Sequence, residues 1–239
     1  MKVLRPRSKK VNKEFLPPSI CKDNIVKILK TMSGRYSIYD LFSDWVEVVA
    51  LSLANGSRLV HDKVWKSRED RYFQIYNKYT KEEFENFSEC LAYLVMTFEN
   101  FNFEDVLGDI YMRLGCGNKY TGQFFTPYSV SRLMSEITIP KEYDGKEVIT
   151  LNEPTVGAGG MIIATAETLY KRGFNPQKCL KIVAQDLDWK AVYMSYIQLS
   201  LLGLNAIVAQ GDTLTEPYIP NKFLEERILR TPKNMGILI

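Results

Sequence analysis

The sequence predicts an α/β protein in which a parallel, doubly wound sheet follows an α-helical N-terminal domain. Short apolar strands alternate with helical segments after about residue 128, an order that is typical of parallel sheets. Residues 37–113 instead carry apolar side chains at helical spacing throughout. The net positive charge of the chain is concentrated in its first 30 residues. The predicted domains are therefore 1–30, 31–118 and 119–239.

The first 30 residues form a predicted basic arm that is partly disordered. They carry nine Lys and Arg against two acidic residues, a net charge of +7, whereas the whole chain has +3. Pro17-Pro18 is expected to break any early helix. Such an arm is either a solvated tail or a segment that binds phosphate. The candidate phosphate-binding residues are Arg5, Arg7, Lys9, Lys10 and Lys13.

The segment 37–113 is predicted to contain four helices. The first ends at Asn55-Gly56-Ser57, where the apolar spacing stops. Thr80 and Glu83 form a predicted capping box at the start of the third helix. The second and fourth helices cover about 68–78 and 103–114. The aromatic stripes along these helices are most simply explained as core packing.

The second half of the chain contains three predicted strands. They cover residues 148–151, 181–184 and 206–209, with helices over 128–138, 160–172 and about 189–203. Parallel strands need a helix-length connection, and this spacing provides it. The carboxyl ends of such strands share one sheet edge, where ligands bind. Residues 234–239 are a candidate fourth strand.

The composition argues against several classes of site. The four cysteines lie far apart without a CxxC pair, and the single histidine is His61. We therefore expect no metal site and no Ser-His-Asp or Cys-His catalysis. No apolar run approaches the roughly 20 residues of a membrane span, and no secretory signal is recognisable. The expectation is a reduced, cytoplasmic protein that binds no membrane.

A glycine-rich segment, Asn152 to Met161, lies between the first strand and its helix. Glycine allows the backbone to approach a ligand closely and to turn into the helix. Glu153 is the informative residue, because its carboxylate repels the phosphate that a dinucleotide-binding loop holds at this place. We therefore expect a ligand that is uncharged or cationic near this loop.

Two further acidic residues follow the next two strands. Asp186 lies in Gln185-Asp186-Leu187-Asp188, and Asp212 lies in Gly211-Asp212-Thr213-Leu214. An acid after the second strand can accept hydrogen bonds from both ribose hydroxyls. Three acids at one sheet edge indicate a pocket for a nucleoside that carries a positive charge. S-adenosylmethionine, a sulfonium, fits this description.

Residues about 100–215 resemble the methylation subunits of type I restriction–modification systems and related adenine-N6 DNA methyltransferases. One motif is Gly122-Gln123-Phe124-Phe125-Thr126-Pro127, which follows the helical segment Phe103 to Tyr111. The glycine-rich segment and the two acidic motifs follow in the family's order. The resemblance implies a Rossmann-like S-adenosylmethionine-dependent methyltransferase core.

The resemblance also implies roles for individual residues. The motif that ends at Pro127 would line the methionine end of the cofactor, and Glu153 with the glycine backbone would face its amino group and sulfonium. Asp186 would hold the ribose, and Asp212 would accept from the adenine amine. The implied cofactor-binding residues are Phe125, Thr126, Pro127, Glu153, Pro154, Gly157, Gly159, Asp186 and Asp212.

The resemblance implies DNA as a partner, which the basic arm would contact through phosphates. A specificity or restriction subunit, or a second copy of the chain, is left open as a protein partner. The helical segment 37–113 would correspond to the family's helical N-terminal domain.

The family's fourth motif, Asn/Asp-Pro-Pro-Tyr/Phe, is not found after Asp212. In that motif two acceptors orient the target amine and the aromatic ring stacks on the flipped base. Thr215-Glu216-Pro217-Tyr218 is similar but lacks the first proline. The catalytic residues are therefore left unassigned.

Two alternatives stay open at this point. One is a catalytically incomplete member of the same family that acts as a regulatory, decoy or anti-restriction binding protein on a mobile element. It would use the same surfaces without chemistry. The other is a small-molecule or protein methyltransferase, and the motif that ends at Pro127 argues against it.

Overall fold

The structure is a computed structural model that describes residues 16–99, 102–117 and 125–237. In this part of the chain, six helices precede the first strand. They are α1 (Pro18–Met32), α2 (Ile38–Gly56), α3 (Lys63–Tyr76), α4 (Lys81–Phe98), α5 (Val106–Arg113) and α6 (Tyr128–Thr138). The sheet region then contains β1 (Ile149–Glu153), α7 (Gly160–Lys171), α8 (Pro176–Cys179), β2 (Leu180–Asp186), α9 (Trp189–Leu201), β3 (Asn205–Gln210) and β4 (Ile228–Arg230). Within these ranges, no helix is long and apolar enough to cross a membrane.

The second half of the predicted basic arm is helical. Helix α1 begins at Pro18, so Pro17-Pro18 starts a helix rather than breaking one. Proline is well tolerated in the first turn because its missing N–H has no intrahelical partner there. Ile25 and Leu29 are fully buried against α4. The arm residues Arg5, Arg7, Lys9, Lys10 and Lys13 lie outside the described residues.

Helices α2, α3 and α4 pack around a buried aromatic centre. Trp45 is fully buried, and its Nε1 donates to the carbonyl of Phe87 at 3.2 Å. The predicted capping box at Thr80 is confirmed, since each partner accepts from the other's backbone N–H. Helix α3 begins five residues earlier than predicted, because the Asp62 side chain caps it by accepting from Trp65 N at 3.0 Å.

The sheet has the order β1-β2-β3-β4, with β1 to β3 parallel. Both parallel connections run in the same direction across the sheet. Because such connections are right-handed, the following helices α7 and α9 lie on the same face. The described helices therefore cover the face that carries Leu151, Ile182 and Val208. The strand–helix–strand prediction is confirmed, and the strands extend up to two residues beyond the predicted ends.

The fourth strand differs from its prediction. The candidate was residues 234–239, whereas β4 covers Ile228–Arg230 and runs antiparallel to β3. Turns follow it as far as Gly236. Thr231 explains why β4 ends at Arg230. Its buried Oγ1 accepts from Ala206 N at 3.0 Å and donates to Leu204 O at 2.7 Å. This side chain ties the end of β4 to the start of β3.

The helical segment and the sheet region share one hydrophobic core. Helix α2 packs on α9, and the aromatic chain Phe42–Tyr111–Phe125 leads from the helices to the sheet, with ring centroids 5.4 and 5.3 Å apart. The predicted boundary at 118/119 falls in the segment 118–124, outside the described residues, so this division stays a prediction.

Candidate functional site

The carboxyl ends of the parallel strands open onto a cavity of about 320 Å³. Its walls come from the loop after β1, the start of α7, the end of β2, the segment before α5, and the segment before α6 together with the first turn of α6. The lining residues are Asp105, Phe125, Thr126, Ser131, Thr155, Val156, Gly157, Ala158, Gly160, Met161 and Asp186. Three separate sequence motifs thus contribute to one cavity. Phe125 comes from the first motif, Gly157 from the glycine-rich segment and Asp186 from the motif after β2.

The glycine-rich loop needs glycine at two places. Gly157 has φ +54° and Gly159, the N-cap of α7, has φ +102°, both in the left-handed region. A Cβ added at Gly157 would also lie 3.0 Å from Cδ1 of Phe125. The loop therefore approaches the Phe125 ring as closely as a backbone without a side chain allows.

Asp186 holds this loop in place. Its Oδ2 accepts from Gly157 N at 2.9 Å, and its Oδ1 accepts from Asp188 N at 3.0 Å. Burial raises the pKa of this half-buried carboxyl, against the hydrogen bonds from the two backbone N–H groups, which lower it. The carboxylate keeps unused lone pairs on a face of the cavity, where it can accept from a ligand.

Phe125 connects the cavity to the helical segment. Its ring is tilted against Tyr111 at 5.3 Å between centroids, and Tyr111 is itself fully buried. Thr126 follows in the cavity wall, and Pro127 is the N-cap of α6. The motif therefore turns the chain into α6 and presents one aromatic ring to the loop.

Glu153 and Asp212 do not line this cavity. Glu153 ends β1, and its Oε1 accepts from Thr155 N at 3.3 Å. Asp212 follows β3, and its Oδ1 accepts from Leu214 N at 2.9 Å. The loop after β3 nevertheless reaches the first loop, because Thr213 Oγ1 donates to the carbonyl of Pro154 at 2.6 Å.

Sequence reasoning missed Asp105 as a wall of the cavity. Asp105 is the N-cap of α5, and its Oδ1 accepts from Gly108 N at 3.0 Å and from Gln198 Nε2 at 2.9 Å. Burial raises the pKa of its carboxyl. From the sequence alone, Asp105 is indistinguishable from an ordinary helix cap.

Gln198 was also missed, and here the sequence contains a signal. The fully buried amide donates to Asp105 Oδ1 and to the carbonyl of Ala158 at 2.7 Å, and it accepts from Leu107 N at 3.0 Å. It lies between Ile197 and Leu199 in the C-terminal half of α9. An amide among apolar neighbours on a buried part of a helix needs hydrogen-bond partners, so it indicates a contact with other elements.

The segment that resembles the fourth motif lies elsewhere. Gln185 Nε2 donates to the carbonyl of Glu216, and Gln185 Oε1 accepts from Tyr218 N, both at 2.9 Å. Tyr218 lines a second cavity of about 600 Å³, together with Thr150, Asn152, Lys181 and Ile207. This is the sheet face that the described helices leave uncovered. Tyr218 is therefore not part of the first cavity.

Comparison with known proteins gives one family. The model of the family described as N-6 DNA Methylase matches residues 102–232, more than half of the chain. No curated protein matches the chain.

The chain is similar to two solved structures. One is a protein of Listeria monocytogenes assigned to the class I S-adenosylmethionine-dependent methyltransferases, with 11% identity and a TM-score of 0.49 over 82% of this chain and 55% of that one. The other is the methyltransferase subunit of a type I restriction–modification system from Streptococcus thermophilus, with 22% identity and a TM-score of 0.44 over 81% of this chain and 44% of that one. The chain thus spans about half the length of these two proteins.

Proposed function

Because the chain belongs to the N-6 DNA methylase family, we propose that it binds S-adenosylmethionine at the carboxyl edge of its sheet and serves adenine-N6 methylation of DNA. The family resemblance predicted from the ordered motifs is confirmed by this membership. S-adenosylmethionine is the cofactor of that family. The membership supports the interpretation as a DNA methyltransferase, and it does not favour the regulatory or decoy alternative.

The observation that supports this proposal most directly is the convergence of Phe125, Gly157 and Asp186 on one cavity. The walls fit the cofactor chemically. They present two carboxylates, Asp105 and Asp186, and none of the described lining residues is Lys or Arg. Such a set of acceptors suits a cationic nucleoside and repels a phosphate chain.

Different residues of the chain would contact different parts of the cofactor. Asp186 would accept from the ribose hydroxyls, while Phe125, Thr126 and Pro127 would lie along the methionine end. The remaining proposed contacts come from Glu153, Pro154, Gly157, Gly159 and Asp212. When bound, the cofactor supplies the methyl group that adenine receives.

The partners are proposed on the same basis. The basic arm would hold DNA through its phosphates, with Arg5, Arg7, Lys9, Lys10 and Lys13 as the contact residues. Such contacts attract DNA of any sequence. The proposed protein partner is a specificity or restriction subunit, or a second copy of the chain.

Calorimetric titration of the purified chain with S-adenosylhomocysteine tests the cofactor claim. We expect a dissociation constant between roughly 1 μM and 1 mM, the usual range of metabolite sites, together with a rise in melting temperature. NAD⁺ is the control ligand, and it should give neither effect because the cavity repels its pyrophosphate. The proposal fails if S-adenosylhomocysteine at about 1 mM produces no heat and no thermal shift.

A further inference from the structure

Two oxygen atoms in the cavity wall, both on buried residues, lack hydrogen-bond partners among the described residues. Ser131 is 0% exposed, and its Oγ makes no hydrogen bond. Asp105 is 8% exposed, and both hydrogen bonds that its carboxylate accepts go to Oδ1. Its Oδ2 receives none from the described part of the chain. Buried polar atoms normally have partners, so these two require an explanation.

The two oxygens converge on the same place. A Cβ added at Gly160 would lie 3.3 Å from Asp105 Oδ2 and 3.6 Å from Ser131 Oγ. Asp105 comes from the start of α5, Ser131 from α6 and Gly160 from the start of α7. All three line the cavity. Three separate elements thus bring an acid, a hydroxyl and a residue without a side chain together.

The chemistry of the place where Asp105 Oδ2 and Ser131 Oγ converge indicates which ligand group can bind there. An ionised carboxylate without a counter-charge is costly to bury, and no described Lys or Arg lines the cavity. We therefore expect the ligand to supply the missing donor. A sulfonium has no N–H group and an adenine amine carries no charge, whereas a primary ammonium has both a charge and three donors.

We propose that Asp105 Oδ2 and Ser131 Oγ bind the α-ammonium group of the cofactor's methionine part. This assignment rests on the proposed function, and it adds two residues that are not among the implied cofactor-binding residues. Asp105 would carry the counter-charge, and Ser131 would accept a second hydrogen bond. Gln198 would fix the direction of the carboxylate by holding Oδ1 at 2.9 Å.

The test compares two ligands that differ by one group. S-adenosylhomocysteine carries the ammonium, and 4-(5′-adenosylthio)butyrate is the same molecule without it. We expect wild-type protein to prefer the first by about 10- to 100-fold, as for a hydrogen bond to a charged group. Asp105→Asn should reduce this preference to within about threefold while leaving the affinity for the butyrate analogue unchanged.

The Asp105→Asn variant tests Oδ2 alone, the oxygen without a partner among the described residues. Asparagine is a good N-cap, so its side-chain oxygen can still accept from Gly108 N and Gln198 Nε2. Asp109→Asn is the matched control, because it removes the same charge from α5 at a residue paired with Lys22 outside the cavity. Ser131→Ala should also reduce the preference for S-adenosylhomocysteine over the butyrate analogue, but less than Asp105→Asn does.

The outcomes separate this proposal from the function on which it rests. Equal loss of both ligands in Asp105→Asn would mean a structural role and would overturn the assignment. Equal binding of both ligands by wild-type protein would overturn it as well, yet would leave the cofactor site intact. If wild-type protein binds neither ligand, the proposed function itself fails.

Discussion

At the level of single residues, Asp186 links the architecture of the loop to ligand binding. Its carboxylate already accepts from two backbone N–H groups, one of them in the glycine loop. The acid at the end of β2 was predictable from the sequence, because strand and motif coincide there. Its bond to Gly157 was not predictable, since a sequence pattern does not tell whether an acid faces a ligand or the adjacent loop.

Replacing Asp186 by Asn should weaken binding of S-adenosylhomocysteine by about 1.5–3 kcal/mol, the range for hydrogen bonds to a charged group. The amide oxygen can still accept from Gly157 N, so the glycine loop keeps that bond, whereas the bond from Asp188 N is lost. Calorimetry measures the loss, and Asp144→Asn, an exposed change, is the control. Unchanged affinity in Asp186→Asn would show that the ribose assignment is wrong.

The affinity should also depend on pH through Asp186. Burial raises the pKa of this carboxyl, so protonation begins at a higher pH than for an exposed aspartate, whose pKa is about 3.9. As the pH falls through the raised pKa, the carboxylate loses its charge and the affinity should decrease. The affinity of Asp186→Asn should decrease less as the pH falls. The affinity of the double variant Asp105→Asn, Asp186→Asn should hardly depend on pH. A wild-type affinity that is constant down to about pH 4 would contradict this.

At the level of elements, local patterns predicted what local forces determine. The helix after Thr80 was found because a capping box is encoded within four residues. Strands β1 to β3 were found because they are apolar and follow one another at helix-length spacing. The start of α1 was missed because Pro18 permits both a break and a first turn, and burial against α4 decides between them. Strand β4 was missed because it depends on Thr231, which bonds across 25 residues.

Thr80→Ala should destabilise the protein by about 0.5–2 kcal/mol, as other N-cap deletions do. Thr80 Oγ1 accepts from Glu83 N at 3.2 Å, and Glu83 Oε2 accepts from Thr80 N at 2.8 Å and from Tyr36 Oη at 3.1 Å. The cap thus also connects α4 to the loop between α1 and α2. Urea unfolding should show a lower midpoint with an unchanged slope. Thr80→Ser keeps the hydroxyl and should behave like wild type, and an equal shift in both variants would argue against the capping bond.

At the level of the whole molecule, the charge distribution suggests how DNA is held. Residues 1–15 contain six Lys and Arg and one acid. The basic residues of α1 are partly occupied, since Lys22 is buried and paired with Glu104 and Asp109. Lys22 is therefore not available to bind phosphate, whereas Lys27 and Lys30 of the same helix are exposed.

Deleting residues 2–15 should weaken DNA binding equally for all sequences. Each phosphate contact contributes about −0.9 to the slope of log K against log salt, so the slope should flatten by up to about 5. The deletion leaves α1 intact, which a cut at residue 30 would not. Changing the arm's Lys and Arg to Gln at full length is the control for chain length. An unchanged salt slope would mean that the arm is a solvated tail.

The last prediction concerns catalysis by the chain alone, which should bind cofactor but methylate adenine in DNA hardly above background. The lone pair of the adenine amine is delocalised into the ring, so two acceptors must localise it while an aromatic ring holds the flipped base. The nearest candidates point elsewhere, since Glu216 pairs with Arg227 at 2.7 Å and Tyr218 lines the cavity on the uncovered sheet face. Losing one preorganised partner typically costs about 10²–10³ in rate. Transfer of labelled methyl groups to mixed-sequence DNA measures this. Turnover by pure protein that Asp212→Ala abolishes would refute the prediction, and turnover that appears only with a second chain would locate the acceptors in that partner.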